Sequence, residues 1–364
     1  MTDEEFRTRL LAWYEANKRS MPWRKADNPY FTWLSEIMLQ QTRVDQAEPY
    51  FNRFVEHFRT VNDLAAASQQ EVLAVWEGLG YYSRARYLHE AAQTVVEKFG
   101  GRVPDTWDEI TELKGIGPYT AAAVLSIAYQ KPHAVVDGNV IRVLSRYLGI
   151  EDDVRRSATK SRIQEHADEL LDRERPGDFN QALMELGALV CTPSDPACEE
   201  CPVSAGCIAR KQVKTEEIPY KSPAKKVPHH NIGVGILINR NGEVLIALRP
   251  EDAMLGGLWE FPGGKQKEDE SIRETIVREL DEELGVKAKI IEPFMQLNHA
   301  YSHFKITLHA CICKIVEGHP EPKTSQKIQW VAIDKLNDFP FPKANRRLTD
   351  KLMSKDFRQK ELNL

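Results

Sequence analysis

The apolar residues of this 364-residue chain change their period once, and the change falls on a proline-rich stretch. Before about residue 211, apolar positions recur at spacings of three and four, as in Phe6, Leu10, Trp13 and Tyr14, or Leu64, Val72, Leu73 and Trp76, with Gly or Pro between segments. That spacing predicts helices throughout 1–211. Over 212–230 the run KTEEIPYKSPAKKVPHH holds Pro219, Pro223 and Pro228 with several lysines and almost no periodicity, so it reads as an extended, semi-rigid linker. Beyond it the period becomes that of strands. Residues 232–238 and 243–249 are short β-type runs joined by Asn239-Arg240-Asn241-Gly242, a hairpin signal. A charged helical stretch over 270–284 and strands near 286–291, 304–315 and 328–333 follow. The expected fold is multidomain: an all-α domain over 1–211, a linker over 212–230 and an α/β domain over 231–364.

Composition removes several classes. With 42% hydrophobic and 28% charged residues the chain suits a globular fold and not a disordered or fibrous one. Its longest apolar run, 121–129 with Ser126 inside, is far short of the roughly 20 residues that span a bilayer. The start, Met1-Thr2-Asp3-Glu4-Glu5, is acidic and unlike a secretory leader. A cytoplasmic monomer without a membrane partner is expected. The net charge of −5 divides into −8 over 1–220 and +3 over 221–364. Such a sum hides local patches, so it speaks only weakly against a nucleic-acid partner.

Four of the six cysteines lie close together as Cys191-x6-Cys198-x2-Cys201-x5-Cys207, with Pro193, Pro196 and Pro202 stiffening the turns. Four thiolates in one loop can close around a metal centre. Zinc sites usually pair two tight hooks, and only one is present, so a 4Fe-4S cluster fits better, with structural zinc as the alternative. Cys311 and Cys313 alternate with apolar residues and read as core thiols.

Leu113-Lys114-Gly115-Ile116-Gly117-Pro118-Tyr119-Thr120 joins two helical patterns; its glycines, Gly115 and Gly117, leave backbone N–H groups free to meet a phosphate. Asp137 follows twenty residues after Gly117, in His133-Ala134-Val135-Val136-Asp137-Gly138-Asn139. Hairpin, Asp137 loop and cysteine loop, in that order, resemble the helix-hairpin-helix DNA glycosylases of the endonuclease III superfamily. Leu34-Ser35-Glu36-Ile37-Met38-Leu39-Gln40-Gln41-Thr42 and His299-Ala300-Tyr301-Ser302-His303 narrow the resemblance to the adenine DNA glycosylase family. Where the endonuclease branch has a lysine that forms a Schiff base, this chain has Tyr119, which cannot form an imine.

The resemblance implies flipping and hydrolytic removal of adenine opposite 8-oxoguanine or guanine in double-stranded DNA, without efficient strand cutting. Cleaving an N-glycosidic bond calls for two carboxyl groups in opposite protonation states. Glu36, among Leu34, Ile37, Met38 and Leu39, has surroundings that raise its pKa and suit a general acid. Asp137, in a more polar setting, would stay ionised and stabilise the oxocarbenium-like sugar. Tyr119 and Asn139 would orient the pair. By the same resemblance Trp23 lines the base pocket, Gln41 and Tyr81 wedge near the oxidised guanine, and Tyr301, Ser302 and His303 read it.

The last domain carries Gly264-x5-Glu270-x7-Arg278-Glu279-Leu280-Asp281-Glu282-Glu283-Leu284-Gly285-Val286, every fixed position of the Nudix pattern of MutT-type pyrophosphohydrolases. Glu279, Glu282 and Glu283 fall on one helix face, a candidate Mg2+ site. A lesion-reading domain is the first expectation, and hydrolysis of oxidised nucleoside triphosphates the alternative. The C-terminal Gln359-Lys360-Glu361-Leu362-Asn363-Leu364 resembles peptides that dock on sliding clamps.

Overall fold

The computed structural model describes residues 1–25, 28–223, 227–301, 303–355 and 357. Two compact units emerge: Met1–Ala66 with Tyr87–Ala224, and Ala67–Arg86 with Lys225–Leu364. Up to residue 211 the chain is helical, as the spacing predicts: α1 Asp3–Asn17, α2 Pro29–Leu39, α3 Val44–His57, α4 Val61–Ala66, α5 Gln69–Trp76, α6 Ser83–Phe99, α7 Trp107–Thr111, α8 Pro118–Tyr129, α9 Gly138–Leu148, α10 Ser157–Leu170, α11 Pro176–Leu189 and α12 Ile208–Lys211. No helix among the described residues is long and apolar enough to cross a membrane.

In the first unit Phe6, Leu10 and Tyr14 of α1 pack with Val143 and Leu144 of α9, Ile163 of α10 and Phe179 and Leu183 of α11. Helix α2 is buried nearly all round, through Tyr30, Trp33, Leu34, Ile37 and Met38. Apolar residues on every side make a helix an interior one. The single carboxylate on it, Glu36, is thereby carried inside. Asn28 caps α2, accepting from the Tyr30 N–H at 3.0 Å, and Pro29 opens it.

The second unit contains β1 His229–Leu237, β2 Glu243–Leu248, β3 Trp259–Glu260, β4 Gly263–Lys265, α13 Ile272–Leu284, β5 Lys287–Ala300, β6 Lys305–Glu317, β7 Lys327–Ala332 and α14 Lys343–Met353. One sheet runs β4-β1-β6-β5, with β1 parallel to β6; the other runs β3-β2-β7. The hairpin expected around Asn239 shrinks to the single bridge Ile238–Val244. Both edges of β1 are taken, by β4 and β6, so β2 departs to the other sheet. Strand β6 alternates as a two-faced strand should: Leu308, Ala310 and Ile312 enter one core, Cys311 and Cys313 the other. The two cysteines are core thiols. Strand β5 runs on past residue 291, where the sequence pattern stops, because register shifts at Ile290/Glu292 and Pro293/Met295 carry it over Pro293.

Residues 67–86 are helical in pattern like their neighbours, yet they cluster with the second unit. The Gln70 side chain donates to the Gly257 carbonyl at 2.8 Å and accepts from the Trp259 indole at 3.0 Å.

Candidate active site

A cavity of about 1160 Å3 opens in the first unit, lined among others by Trp23, Arg24, Glu36, Tyr119, Asp137, Asn139 and Glu185. Glu36 reaches it from α2 and Tyr119 from the first turn of α8, which Gly117 caps and Pro118 opens. The Tyr119 hydroxyl donates to Glu36 Oε2 at 2.8 Å. Burial pushes the Glu36 carboxyl up to about 7; the Tyr119 bond opposes the shift, Asp137 adds to it and Arg24 opposes it. An acid so placed holds its proton near neutrality, which suits a general acid. Burial likewise drives the Tyr119 phenol well above its ordinary value, so it stays a hydroxyl donor.

Asp137 caps α9. Its Oδ1 accepts from the Val140 N–H at 2.7 Å and its Oδ2 from the Asn139 side-chain amide at 2.9 Å. The setting is less polar than the neighbouring Gly138 and Asn139 suggest: burial raises the Asp137 pKa, against the pull of Val140, Asn139 and Arg142. Those donors all favour the carboxylate form. Asn139 in turn accepts from Arg142 at 2.9 Å, and Arg142 donates to the Cys191 carbonyl at 2.7 Å and the Gly187 carbonyl at 2.6 Å. Asp137 is therefore braced, through two side chains, against the start of the cysteine loop. A Cβ on Gly187 would stand 2.6 Å from Asn139 Cβ, so α11 approaches α9 here as only glycine permits.

Trp23 is buried on the edge of Phe51 at 5.2 Å while lining the cavity. Glu185, Arg19 and Arg24 complete that wall and escaped the sequence reading. Glu185 is 2% exposed and bound by Arg19 at 2.8 Å and Arg24 at 3.2 Å. Burial pushes its carboxyl up, but the two arginines more than reverse this, and its pKa is lowered. A charged residue between Leu183 and Leu186 on a core helix was the available signal.

The other sequence candidates lie outside the cavity lining. Gln41 follows α2 with a left-handed backbone, φ +57°. Gly115 has φ +79°, and a Cβ there would fall 2.7 Å from that of Tyr87, whereas a Cβ on Gly117 would meet nothing within 4 Å. Tyr81 belongs to the second unit. Tyr301 and His303 form the tip between β5 and β6, where Tyr301 stacks on Phe304 at 4.8 Å. Ser302 and the tail 359–364 lie outside the described residues.

With this geometry in hand, two family models match: "HhH-GPD superfamily base excision DNA repair protein" over residues 34–173 and "NUDIX domain" over 233–351. The chain is 36% identical to the adenine DNA glycosylase of Homo sapiens, over 83% of this chain and 65% of that one. It is 30% identical to the adenine DNA glycosylase of Buchnera aphidicola subsp. Acyrthosiphon pisum, over 96% of this chain and 98% of the relative. The chain belongs to the adenine DNA glycosylase family. A solved thermostable thymine-DNA glycosylase, 29% identical, superposes with a TM-score of 0.52 over 58% of this chain and 97% of its own. The activity of an adenine DNA glycosylase is that of an N-glycosylase in base-excision repair, with DNA as substrate.

The four loop cysteines, Cys191, Cys198, Cys201 and Cys207, are each half-buried and form no disulfide. The Cys201 thiol is pushed up to about 12, by burial first and then by Cys191, Cys207 and Cys198. Arg146 donates to Cys191 Sγ at 3.4 Å and to the Thr192 and Pro193 carbonyls at 2.6 and 3.0 Å. Neighbouring thiols beside a guanidinium form a donor set suited to an anionic iron-sulfur centre.

On the Nudix helix α13, Arg278 grips Glu270 at 2.6 Å, Glu279 at 2.7 Å and Glu282 at 2.9 Å. Glu283 accepts from the Gly263 N–H at 3.0 Å. Its carboxyl is raised to about 8, chiefly by burial and then by the nearby Glu260. Among the described residues no three His, Cys, Asp or Glu side chains form a ready single-ion site.

Proposed function

We propose that this enzyme excises adenine paired with 8-oxoguanine, or with guanine, from duplex DNA and leaves the strand uncut. The observation that carries the reading is the gathering of Glu36, Tyr119 and Asp137 at one cavity, with the two carboxyl groups in different hydrogen-bonding company. Reaching adenine requires flipping it from the stack, at about a few kcal/mol. Trp23 would line the receiving pocket, Gln41 and Tyr81 would fill the vacated stack, and Tyr301, Ser302 and His303 would read the oxidised guanine. Glu36 gives its proton to N7 of the leaving base as the bond from N9 to the sugar carbon breaks. Asp137, whose carboxylate form the Val140 and Asn139 donors favour, stabilises the positive sugar and would bond to it transiently. Glu36, now ionised, accepts a proton from the water that adds to the sugar carbon. Tyr119 orients Glu36 throughout and offers no amine for strand cleavage.

Cys191, Cys198, Cys201 and Cys207 would hold a 4Fe-4S cluster, which when bound supplies a rigid cross-link through four thiolates. Zinc in its place would leave the protein colourless and free of iron. A cation at the candidate Mg2+ site, Glu279, Glu282 and Glu283, would have to displace the Arg278 guanidinium from Glu279 and Glu282. The tail 359–364 would hook a sliding clamp, and its deletion should abolish clamp pull-down.

The deciding experiment measures adenine release from duplexes bearing 8-oxoguanine:A, with Glu36→Gln alongside. Release by the parent and loss in the variant supports the reading. Binding without release would indicate a damage sensor. Pyrophosphate release from 8-oxo-dGTP with Mg2+, unaffected by Glu36→Gln, would indicate a nucleotide hydrolase.

A further inference from the structure

Tyr81 stands in a turn whose backbone is left-handed at Gly78 (φ +95°), Gly80 (φ +81°) and Tyr81 itself (φ +51°). A side chain as large as tyrosine keeps that conformation only where its surroundings over-determine it. Within the turn, the Trp76 indole and Arg84 both donate to the Gly80 carbonyl at 3.1 Å, and the Arg84 guanidinium lies 5.1 Å from the Tyr81 ring. The flanks are fastened to the C-terminal part of the same unit. Arg346 of α14 grips Glu77 with two bonds, 2.5 and 2.7 Å, both side chains only 20% exposed. On the other flank Tyr82 donates to the Phe341 carbonyl at 3.4 Å and accepts from the Gly78 N–H at 3.2 Å. Arg346 is itself fixed, donating to the Phe339 carbonyl at 2.6 Å and lying 5.1 Å from the Phe341 ring. A two-pronged, half-buried pair on an arginine already held by its neighbours keeps a fixed geometry, unlike an exposed pair between mobile side chains.

We propose that Glu77 and Arg346 are positioning residues that aim Tyr81 into the duplex, so that preference for oxidised guanine depends on an ion pair that touches no base. The proposal rests on the reading of Tyr81 as the wedge beside that guanine. It makes the Nudix-like part an arm that sets the wedge as well as a reader of the lesion.

The test is a double-mutant cycle on the full-length enzyme. Glu77→Gln and Arg346→Met should each reduce the preference for 8-oxoguanine:A over G:A duplexes roughly tenfold, with adenine release from G:A at saturating enzyme unchanged. Arg346→Lys keeps the charge without the fork and should recover only part of the loss. Added to Tyr81→Ala, neither substitution should cost more than Tyr81→Ala alone. Glu77→Gln is the milder change and carries the test if Arg346→Met fails to fold, as judged by circular dichroism. Unchanged preference in a folded Glu77→Gln, while Tyr81→Ala loses it, overturns the pair and spares the wedge. Losses that add to that of Tyr81→Ala overturn it too, since they mark a role independent of Tyr81. An unchanged preference in Tyr81→Ala removes the wedge reading and the proposal with it.

Discussion

At Glu36 and Asp137 the groups that hydrogen-bond the carboxyls are neutral donors: the Tyr119 hydroxyl, the Asn139 amide and the Val140 N–H. At Glu270, Glu279 and Glu282 the shared partner is one guanidinium, that of Arg278, to which Lys267 adds a second cation at Glu282 and the Thr275 hydroxyl and Lys267 N–H add donors at Glu270. A cation holds carboxylates ionised, and the Glu270 pKa falls to about 2 chiefly through its bond to Arg278. Neutral donors in a buried setting leave the proton in play, and Glu36 rises to about 7. The first arrangement can exchange protons with a leaving group. The second locks a helix to the loop before it.

The sharpest way to break this comparison is Glu36→Gln, which should lower adenine release by about 10²- to 10⁴-fold in single-turnover assays. The same substitution should stabilise the fold at alkaline pH. Stability contributed by protonated Glu36 is full below its ordinary value of 4.5 and lost as pH rises through about 7. Glutamine cannot ionise, so a melting point unchanged at pH 8 would contradict the burial argument. Asp137→Asn comes next, with a loss of roughly 10²- to 10³-fold expected for an electrostatic stabiliser. Tyr119→Phe should cost about tenfold, in line with one lost hydrogen bond to a charged group. It removes a bond that lowers the Glu36 pKa, so the alkaline limb of the pH–rate profile should move to higher pH. A shift to lower pH would refute the assigned hydrogen bond. The smallest effect belongs to Glu283→Gln. Adenine release should not change, while the melting point in EDTA should rise above pH 8, because Glu283 also carries a raised pKa. Slower adenine release would end the contrast between the two clusters.

Much of the candidate site is legible in sequence because its residues sit on sharp local signals. Asp137 precedes a glycine at a helix start, and Glu36 is the one carboxylate in an apolar helix. Glu185 is harder to see, since a lone glutamate on a helix usually faces water and its two arginine partners lie more than 160 residues away. The excursion of 67–86 into the second unit is invisible for the same reason: Gln70 and Glu77 meet Gly257 and Arg346 only after the chain has folded back. Strand β5 outruns the strand-like run at 286–291 because register shifts on either side of Pro293 let the ladder continue. The hairpin signal at Asn239 was real as a turn and failed as a ladder, because a local signal carries nothing about which edges β1 has already given away.

The contact between Gly187 and Asn139 sets a limit on how this enzyme can drift. A serine or alanine at 187 would add no charge, remove no catalytic group and leave both helices helical. It would still set a Cβ 2.6 Å from that of Asn139, closer than two non-bonded carbons can stand, and Asn139, Arg142 and the loop at Cys191 would have to re-form around it. Damage to a repair enzyme can therefore enter through a residue that has no side chain, as a loss in the aim of Asp137.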